Sequence, residues 1–208
     1  MLTNSRLVDH LIRSGVLRSP VLVDAFLRCD RALFVPDELR LEAYGDYPLP
    51  IGGGQTISQP TTVAIMLELL RPAPGNRVLD IGSGSGWTTA LLACAVGPEG
   101  FVEGIERVSS LVGYGRENLK KARIENASIS QADPKVLGKP KERYDRILVS
   151  ASAAEMPGEL IDQLKPGGVL VLPVLNSVWR ITRRPDGSTD SFELPGFVFV
   201  PLIVPQEK

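Results

Sequence analysis

The stretch Val-Leu-Asp-Ile-Gly-Ser-Gly-Ser-Gly at residues 78–86 decides the fold of this chain. It is a short apolar run followed by a turn with three glycines, and the apolar segment 87–96 that comes next is typical of a helix. Because glycines carry no Cβ atom, such a turn lets a ligand lie against the backbone and the helix N-terminus. The stretch therefore predicts a strand, a turn and a helix, with a ligand site at the turn.

Outward from this stretch, strands and helices alternate over most of the remaining chain. Further strands are predicted at residues 100–106, 127–130, 144–150 and 169–174. With helices between them, they predict right-handed β-α-β units and a doubly wound, Rossmann-like α/β fold with a mostly parallel sheet. Residues 169–194 predict strand, turn, strand and turn, and residues 196–203 a final strand. The sheet is therefore expected to end in an antiparallel C-terminal section.

The first part of the chain predicts helices. Apolar residues at helix spacing and a Ser-Pro pair at residues 19–20 indicate two helices, a short third is expected over residues 38–44, and a fourth over residues 60–70. Between the last two lies Pro-Ile-Gly-Gly-Gly-Gln-Thr-Ile-Ser-Gln-Pro at residues 50–60. This segment is either a slack linker or a loop built to let a ligand approach its backbone.

The composition argues against several classes of function. The chain has 208 residues, a formal net charge of −1 and no apolar run of membrane-spanning length, so neither a broad nucleic-acid-binding face nor a membrane protein is expected. Its one histidine, His10, leaves no Ser-His-Asp triad and no histidine metal site, and no metal is expected. Cys29 and Cys94 lie far apart in the sequence and match no disulfide framework or zinc spacing, which fits a reducing cytoplasm.

The glycine turn discriminates between two classes of cofactor. A dinucleotide fingerprint needs Gly-x-Gly-x-x-Gly, and its third glycine would fall on Trp87 when counted from Gly82, or on Thr89 when counted from Gly84. The carboxylate of Asp80 beside the turn would repel a pyrophosphate and attract an ammonium group. S-adenosyl-L-methionine carries an ammonium and a sulfonium but no phosphate. It is the cofactor predicted, with a nicotinamide or flavin, or a turn that binds nothing, as alternatives.

Two further acidic residues follow later strands. Glu106 ends the next strand and can accept hydrogen bonds from both hydroxyls of a ribose, a feature that both cofactor classes share. Asp133 could meet the adenine amino group or simply form a turn with Pro134. Trp87 is expected to pack on the adenosine, the alternative being that it fills space beneath the helix. The predicted cofactor-binding residues are Asp80, Gly82, Ser83, Gly84, Ser85, Gly86, Glu106 and Asp133.

Several motifs in this order resemble one family across almost the whole chain. They are Gly-Gly-Gly-Gln-Thr-Ile-Ser-Gln-Pro (52–60), Val-Leu-Asp-Ile-Gly-Ser-Gly-Ser-Gly (78–86), Gly-Ile-Glu (104–106), Tyr-Asp-Arg-Ile-Leu-Val-Ser (144–150) and Gln-Leu-Lys-Pro-Gly-Gly (163–168). The chain resembles the protein-L-isoaspartate O-methyltransferases. The glycine motif occurs in many methyltransferases, whereas the Gln-Thr-Ile-Ser-Gln-Pro segment is much more specific.

The resemblance implies a methyltransferase fold and a repair activity. Members of the family transfer a methyl group from S-adenosylmethionine to the carboxylate of L-isoaspartyl residues in damaged proteins, and the ester then collapses to a succinimide. By the family motif, Ser58 is the active-site serine. The residues implied to line the substrate cleft are Thr56, Ile57, Gln59 and Pro60. The resemblance also implies that Asp80, the glycines and Glu106 hold the cofactor.

The predicted chemistry agrees with the residues present. An isoaspartyl carboxylate is ionised at neutral pH, so methyl transfer to it requires alignment and exclusion of water but no general base. We expect Ser58 to donate an orienting hydrogen bond and not to act as a covalent nucleophile. The alternative is that Ser58 only caps the helix at Pro60.

The sequence departs from the family pattern at the adenine side of the predicted site. The usual Gly-Asp-Gly reads Ala132-Asp133-Pro134 here, and Pro134 has no backbone N–H to donate. A methyltransferase of the same fold with another acceptor, and a cofactor-binding module that has lost activity, therefore stay open as alternatives.

The predicted organisation is one compact unit in two parts. Residues 1–72 form an N-terminal helical cover with the substrate loop, and residues 73–208 form the α/β domain that binds S-adenosylmethionine. The expected partners are isoaspartyl-containing peptides and proteins, with no nucleic acid and no membrane. A cytoplasmic monomer is expected.

Overall fold

The computed structural model describes residues 3–203, so the ends of the two predicted parts, at residues 1–2 and 204–208, lie outside the described residues. The helices and the two short strands of the first part, here called the cover, pack over one face of the sheet. They are α1 (Asn4–Arg13), α2 (Pro20–Arg28), two 3-10 helices (Arg31–Leu33 and Asp37–Glu42), the strands β1 (Leu49–Gly52) and β2 (Gln55–Ile57), and α3 (Pro60–Leu70). The segment predicted as a third α-helix is thus a 3-10 helix.

The glycines of residues 52–54 form a β-hairpin, so the slack-linker alternative is wrong. In the β1–β2 pair, Leu49 lies opposite Ile57 and Gly52 opposite Gln55. Gly53 and Gly54 at the tip have φ angles of 60° and 71°. Two-residue hairpin turns favour positive φ at both positions, which glycine adopts without strain.

The second part confirms the α/β prediction. Its elements are β3 (Arg77–Ile81), α4 (Trp87–Val96), β4 (Phe101–Glu106), α5 (Ser109–Lys121), β5 (Ala127–Gln131), β6 (Tyr144–Val149), α6 (Gly158–Asp162), β7 (Leu164–Val174), β8 (Ser177–Arg183) and β9 (Thr189–Pro195). The strand order is β5-β4-β3-β6-β7-β8-β9, parallel as far as β7 and antiparallel for β8 and β9. This is the predicted parallel sheet with an antiparallel C-terminal section.

The central strands are buried on both faces, as their continuous apolar sequence requires. Val78 of β3 and Leu148 of β6 face a core shared with the cover, including its helix α3, and with α4 and α5. Their neighbours Leu79 and Ile147 face a second core with α6. Because the first core contains residues from both predicted parts of the chain, the two parts pack together without an intervening gap. The boundary between residues 72 and 73 stays a prediction.

The predicted final strand at residues 196–203 is wrong. The N–H groups of Gly196 and Phe197 both donate to the carbonyl of Asn176, so the chain leaves the sheet at the β7–β8 turn. It then pairs only with Ser152, through an isolated bridge at Pro201. Proline lacks the N–H group that a continued ladder needs, so a regular strand does not form.

The two cysteines are far apart in the sequence but are neighbours in the structure. Because α2 packs on α4, the Sγ atoms of Cys29 and Cys94 lie 3.2 Å apart. Within residues 3–203, no helix is both long enough and apolar enough to cross a membrane.

Candidate active site

A cavity of about 240 Å³ lies at the carboxyl ends of the parallel strands, the usual position for a ligand in such a sheet. Residues 82–85 of the glycine turn after β3 form one part of its wall, and the β1–β2 hairpin forms another. Residues 105–108, 132–134, 136–138, 150–151 and 200–203 also line it. The cavity thus brings the predicted cofactor turn and the predicted substrate loop to one place.

Backbone contacts and one carboxylate hold the glycine turn. The N–H groups of Gly82 and Ser83 donate to the carbonyl of Ile105 in β4, at 2.9 and 3.1 Å. Glu106 accepts from the N–H of Gly84 at 2.9 Å through one carboxylate oxygen and from Val108 at 2.8 Å through the other. Glu106 therefore fixes the turn and the start of α5, and it also lines the cavity.

The glycines of the turn have separate uses. Gly82 and Gly84 line the cavity and have φ angles of 79° and 53°, a region that favours glycine. Gly86, which does not line the cavity, has a φ of 92° and lies against α5. A Cβ atom on Gly86 would lie 3.2 Å from the carbonyl oxygen of Gly115. Gly86 therefore permits close packing of two backbones, while Gly82 and Gly84 leave the cavity wall free of side chains.

Asp80 lies behind this wall and does not line the cavity. Its side chain is fully buried, and one carboxylate oxygen accepts from the hydroxyls of Thr88 at 2.8 Å and Thr89 at 2.6 Å. Burial raises the pKa of Asp80 to about 6, although the two hydroxyls lower it. The direct contact expected between Asp80 and an ammonium group stays a prediction, because Asp80 does not line the cavity although its Oδ1 has no described protein partner. Since Thr88 does line the cavity, its hydroxyl also links the carboxylate of Asp80 to the wall.

Two buried polar atoms at the turn lack a hydrogen-bond partner within the described chain. They are Oδ1 of Asp80 and Oγ of Ser83, and Ser83 lines the cavity. Buried polar atoms without partners are uncommon, and a bound ligand is one way of satisfying them. With the carboxylates of Glu106 and Asp133 also on the wall, this donor and acceptor set fits a cationic cofactor with ribose hydroxyls better than a pyrophosphate.

The adenine side of the predicted site is a turn that also lines the cavity. The side chain of Asp133 is exposed, and its Oδ1 accepts from the N–H of Lys135 at 2.8 Å. Pro134 and Ala132 lie on the same wall. The turn and the adenine contact are therefore compatible in Asp133, because its second carboxylate oxygen stays available.

Trp87 connects the cavity to the cover. Its ring is 2% exposed, and its Nε1 donates to the carbonyl of Cys29 at 3.1 Å. Phe26 packs edge-on against it with ring centroids 5.6 Å apart. Although Trp87 also borders the cavity, these contacts favour the space-filling alternative over packing on an adenosine.

Ser58 lies on the cavity wall without a capping role. The residue at the N-cap of α3 is Gln59, and it makes no side-chain capping bond. Asp46 caps the helix instead, since its carboxylate accepts from the N–H of Thr61 at 2.8 Å and from the Thr61 hydroxyl at 2.7 Å. The capping alternative for Ser58 is therefore wrong, and no described protein group bonds its hydroxyl.

The other predicted substrate residues divide into two groups. Thr56 and Ile57 line the cavity beside Ser58. Gln59 and Pro60 do not: the amide of Gln59 bonds to Asp46 and Thr62, and Pro60 is buried in the first turn of α3. Direct contact with a substrate stays a prediction for all five residues, and the cavity lining supports it for Thr56, Ile57 and Ser58.

Arg31 is a residue whose role the sequence did not reveal. Its side chain is fully buried, and its guanidinium donates at 2.8–3.2 Å to four backbone carbonyls, those of Ala43, Gly45, Tyr47 and Ser58. The guanidinium also lies 5.4 Å from the ring centroid of Trp87. Burial lowers the pKa of Arg31 to about 10, and nearby Asp46 partly opposes this effect. Arg31 therefore links the chain before the hairpin to Ser58 and to the cavity wall.

Comparison with known proteins identifies the family. The family described as Protein-L-isoaspartate(D-aspartate) O-methyltransferase (PCMT) matches residues 2–207. A protein-L-isoaspartate O-methyltransferase of Methanopyrus kandleri is 44% identical over 95% of this chain and 90% of its own length. The corresponding protein of Pyrococcus horikoshii is 43% identical over 95% of this chain and 91% of its own length.

A solved structure agrees with these relatives. It is a Plasmodium falciparum protein described as a protein-L-isoaspartate O-methyltransferase in complex with S-adenosyl-L-homocysteine. It superposes with a TM-score of 0.86 at 29% identity and covers 97% of this chain and 99% of its own. Taken together with the glycine turn and the hairpin at one cavity, these matches show that the chain belongs to the protein-L-isoaspartate O-methyltransferase family.

Proposed function

We propose that this chain transfers the methyl group of S-adenosyl-L-methionine to the carboxylate of L-isoaspartyl residues in damaged peptides and proteins. The observation that carries the proposal is the shared cavity. Residues 82–85 of the glycine turn and residues 55–58, at the end of the hairpin, both line it. A cofactor at the turn and a peptide at the hairpin would therefore meet within one enclosed volume.

The chain's own residues would hold the cofactor without contributing to the chemistry of transfer. When bound, S-adenosylmethionine supplies an electrophilic methyl group. Gly82 and Gly84 leave room against the backbone, Ser83 offers an unpaired hydroxyl, and Glu106 offers a carboxylate at the wall. Asp133 is placed to accept from an adenine amino group. These contacts would orient the cofactor with its charged end toward the acidic wall.

Ser58 would orient the substrate carboxylate. Its hydroxyl is free to donate because Asp46, not Ser58, caps α3. The carboxylate is already ionised, so alignment and exclusion of water are what the site must provide. The only histidine of the sequence, His10, is exposed on α1, which agrees with a reaction that needs no general base.

The hairpin would close over the peptide. A Cβ atom on Gly53 would lie 2.9 Å from a methyl carbon of Val108, so the hairpin tip touches the loop after β4. Ile51 of the same hairpin packs against Gly84 of the turn. This contact between the two walls would exclude water from the reacting groups.

The proposal extends to organisation and location. We propose that residues 1–72 and 73–208 act as one unit, supported by the core that the described parts share. We also propose a cytoplasmic monomer that binds no nucleic acid, supported by the net charge of −1 and by the two free thiols. Light scattering of the purified chain tests the monomer.

Methyl incorporation tests the activity. The chain is incubated with S-adenosylmethionine labelled in its methyl group and either an L-isoaspartyl peptide or the matched aspartyl peptide. We expect label in the isoaspartyl peptide alone. Equal labelling of both peptides would instead indicate another acceptor, and cofactor binding by calorimetry without labelling of either would indicate a module that has lost activity.

A further inference from the structure

The two cysteines of the sequence meet where the cover joins the sheet domain. Cys29 follows the last residue of α2, and Cys94 lies near the end of α4. Although 65 positions separate them, their Sγ atoms are 3.2 Å apart. A disulfide bond is about 2.05 Å long, so the two sulfurs would need to approach by roughly 1 Å to bond. The packing of α2 on α4 has already brought the thiols together.

The two thiols differ in a way that assigns their roles. Cys29 is 1% exposed, whereas Cys94 is only partly buried. The two sulfurs share a hydrogen bond in which either could donate. This bond holds the pKa of Cys94 below its ordinary value, and the same bond together with burial holds the pKa of Cys29 above it. The reactive form of a cysteine is the thiolate, so Cys94 is the attacking sulfur and Cys29 the resolving one.

We propose that Cys29 and Cys94 form an oxidation site that closes into an intramolecular disulfide when the chain meets a peroxide. The thiolate of Cys94 attacks one oxygen of hydrogen peroxide, the O–O bond breaks, and a sulfenic acid and hydroxide form. The sulfur of Cys29 then displaces hydroxide from the sulfenic sulfur, and the proton of Cys29 leaves with it as water. The two sulfurs give up two electrons in all, and the peroxide is reduced to two waters.

The disulfide bond would link the cover to α4 without closing the cavity. Neither cysteine lines the cavity, but the carbonyl of Cys29 accepts from the indole of Trp87, which does. Arg31, which holds the chain around the hairpin, follows Cys29 by two positions. The oxidised chain should therefore hold its cover more firmly and keep a functional site.

Mass spectrometry and thermal unfolding test the site on the full chain. Hydrogen peroxide at a low molar excess should remove two hydrogen atoms from the intact mass, and dithiothreitol should restore them. Closing a loop of this length should raise the melting temperature by about 10 °C. Turnover on an isoaspartyl peptide should stay within about twofold of that of the reduced chain.

Two single variants serve as controls. In Cys29→Ser, which removes the second thiol but keeps a hydroxyl that can donate to Cys94, peroxide should leave Cys94 as a sulfenic acid that a dimedone probe captures, and the melting temperature should not rise. In Cys94→Ala, the buried Cys29 should stay unmodified. The proposal is overturned if the wild-type chain gains oxygen at Cys94 without losing two hydrogens, or if the disulfide forms but the melting temperature does not rise.

Discussion

The glycine turn and the β1–β2 hairpin both line one cavity, yet different contacts hold them in place. The turn is fixed by its own backbone and by Glu106, which ends the neighbouring strand. The hairpin and the chain before it are held from outside, by the side chain of Arg31 on four carbonyls and by Asp46 on the start of α3.

The cover uses the same device elsewhere. Glu68 of α3 accepts from the N–H groups of Arg18 and Ser19 and from the Ser19 hydroxyl, all at 2.7 Å, and so holds the chain just before α2 from another helix. A turn built on backbone geometry depends on a few neighbouring residues. A cover built on distant side chains depends on single residues, each of which holds several backbone groups.

The substitution Arg31→Met should break the cover side of this comparison most strongly. It keeps a long side chain but leaves four carbonyls, one of them buried and three part-buried, without their donor, so the free energy of unfolding should fall by about 4 kcal/mol. Chemical denaturation measures this change. The KM for an isoaspartyl peptide should also rise more than the dissociation constant for S-adenosylmethionine, because the hairpin carries the proposed peptide site.

Arg28→Met is the matched control for that experiment. Arg28 is exposed and pairs only with Asp24, at 3.5 Å in the same helix. Such surface pairs contribute at most about 1 kcal/mol. If the two arginine variants were equally stable, the hairpin would not depend on Arg31.

On the turn side of the comparison, Asp80→Asn should raise the free energy of unfolding instead of lowering it. Because burial raises the pKa of Asp80 to about 6 in the folded chain, its ionised form opposes folding, and that cost grows as the pH rises from about 4 to 6 and is constant above. Removing the charge should raise the free energy of unfolding at pH 8 by about 3 kcal/mol and flatten its pH dependence between about pH 4 and 6. Calorimetry should show weaker cofactor binding in the same variant. An unchanged pH dependence, equal to that of Asp24→Asn, would contradict the buried charge.

Ser58→Ala should separate orientation from stability. Without the hydroxyl, kcat should fall about tenfold, which corresponds to about 1.4 kcal/mol, while the melting temperature stays the same. Asp46→Ala, which removes the cap of α3, is the matched comparison and should lower stability by about 1 kcal/mol. A loss of stability without a loss of turnover in Ser58→Ala would argue against its role at the carboxylate.

The smallest effect is expected from Glu68→Gln. Burial alone would raise the pKa of Glu68, but the hydrogen bonds from Ser19 and Arg18 hold it below its ordinary value. The ionised carboxylate of Glu68 therefore stabilises the fold at neutral pH, and this contribution is lost as the pH falls through its folded pKa. Wild type should exceed the variant by about 1 kcal/mol at pH 7 and lose that margin on acidification. Glu117→Gln, on the exposed face of α5, should show no such difference.

The parts that could be predicted are those that local sequence determines. The strand before residue 82, the glycine turn and the alternation of strands and helices follow from short-range patterns, and all appear in the structure. The cofactor was predictable for the same reason, since the turn excludes the dinucleotide spacing. Ser58 was predicted as the active-site serine only because it lies in a motif that the family shares.

The parts that could not be predicted depend on residues distant in the sequence. No local pattern indicates that Arg31 meets the carbonyl of Ser58, or that Cys29 meets Cys94. The burial of Asp80 likewise depends on how the first turn of α4 folds back over it. The segment 196–203 has the composition of a strand, but its path is set by bonds to Asn176 and Ser152.

The cavity wall includes residues as far apart in the sequence as Ile51 and Ile203. Contacts of such high sequence separation form late in folding, because the loops that connect them must close first. During synthesis, the glycine turn therefore leaves the ribosome long before its wall is complete. We therefore expect full cofactor affinity only once residues 200–203 have joined the rest, and cofactor binding should in turn stabilise the finished chain as a whole.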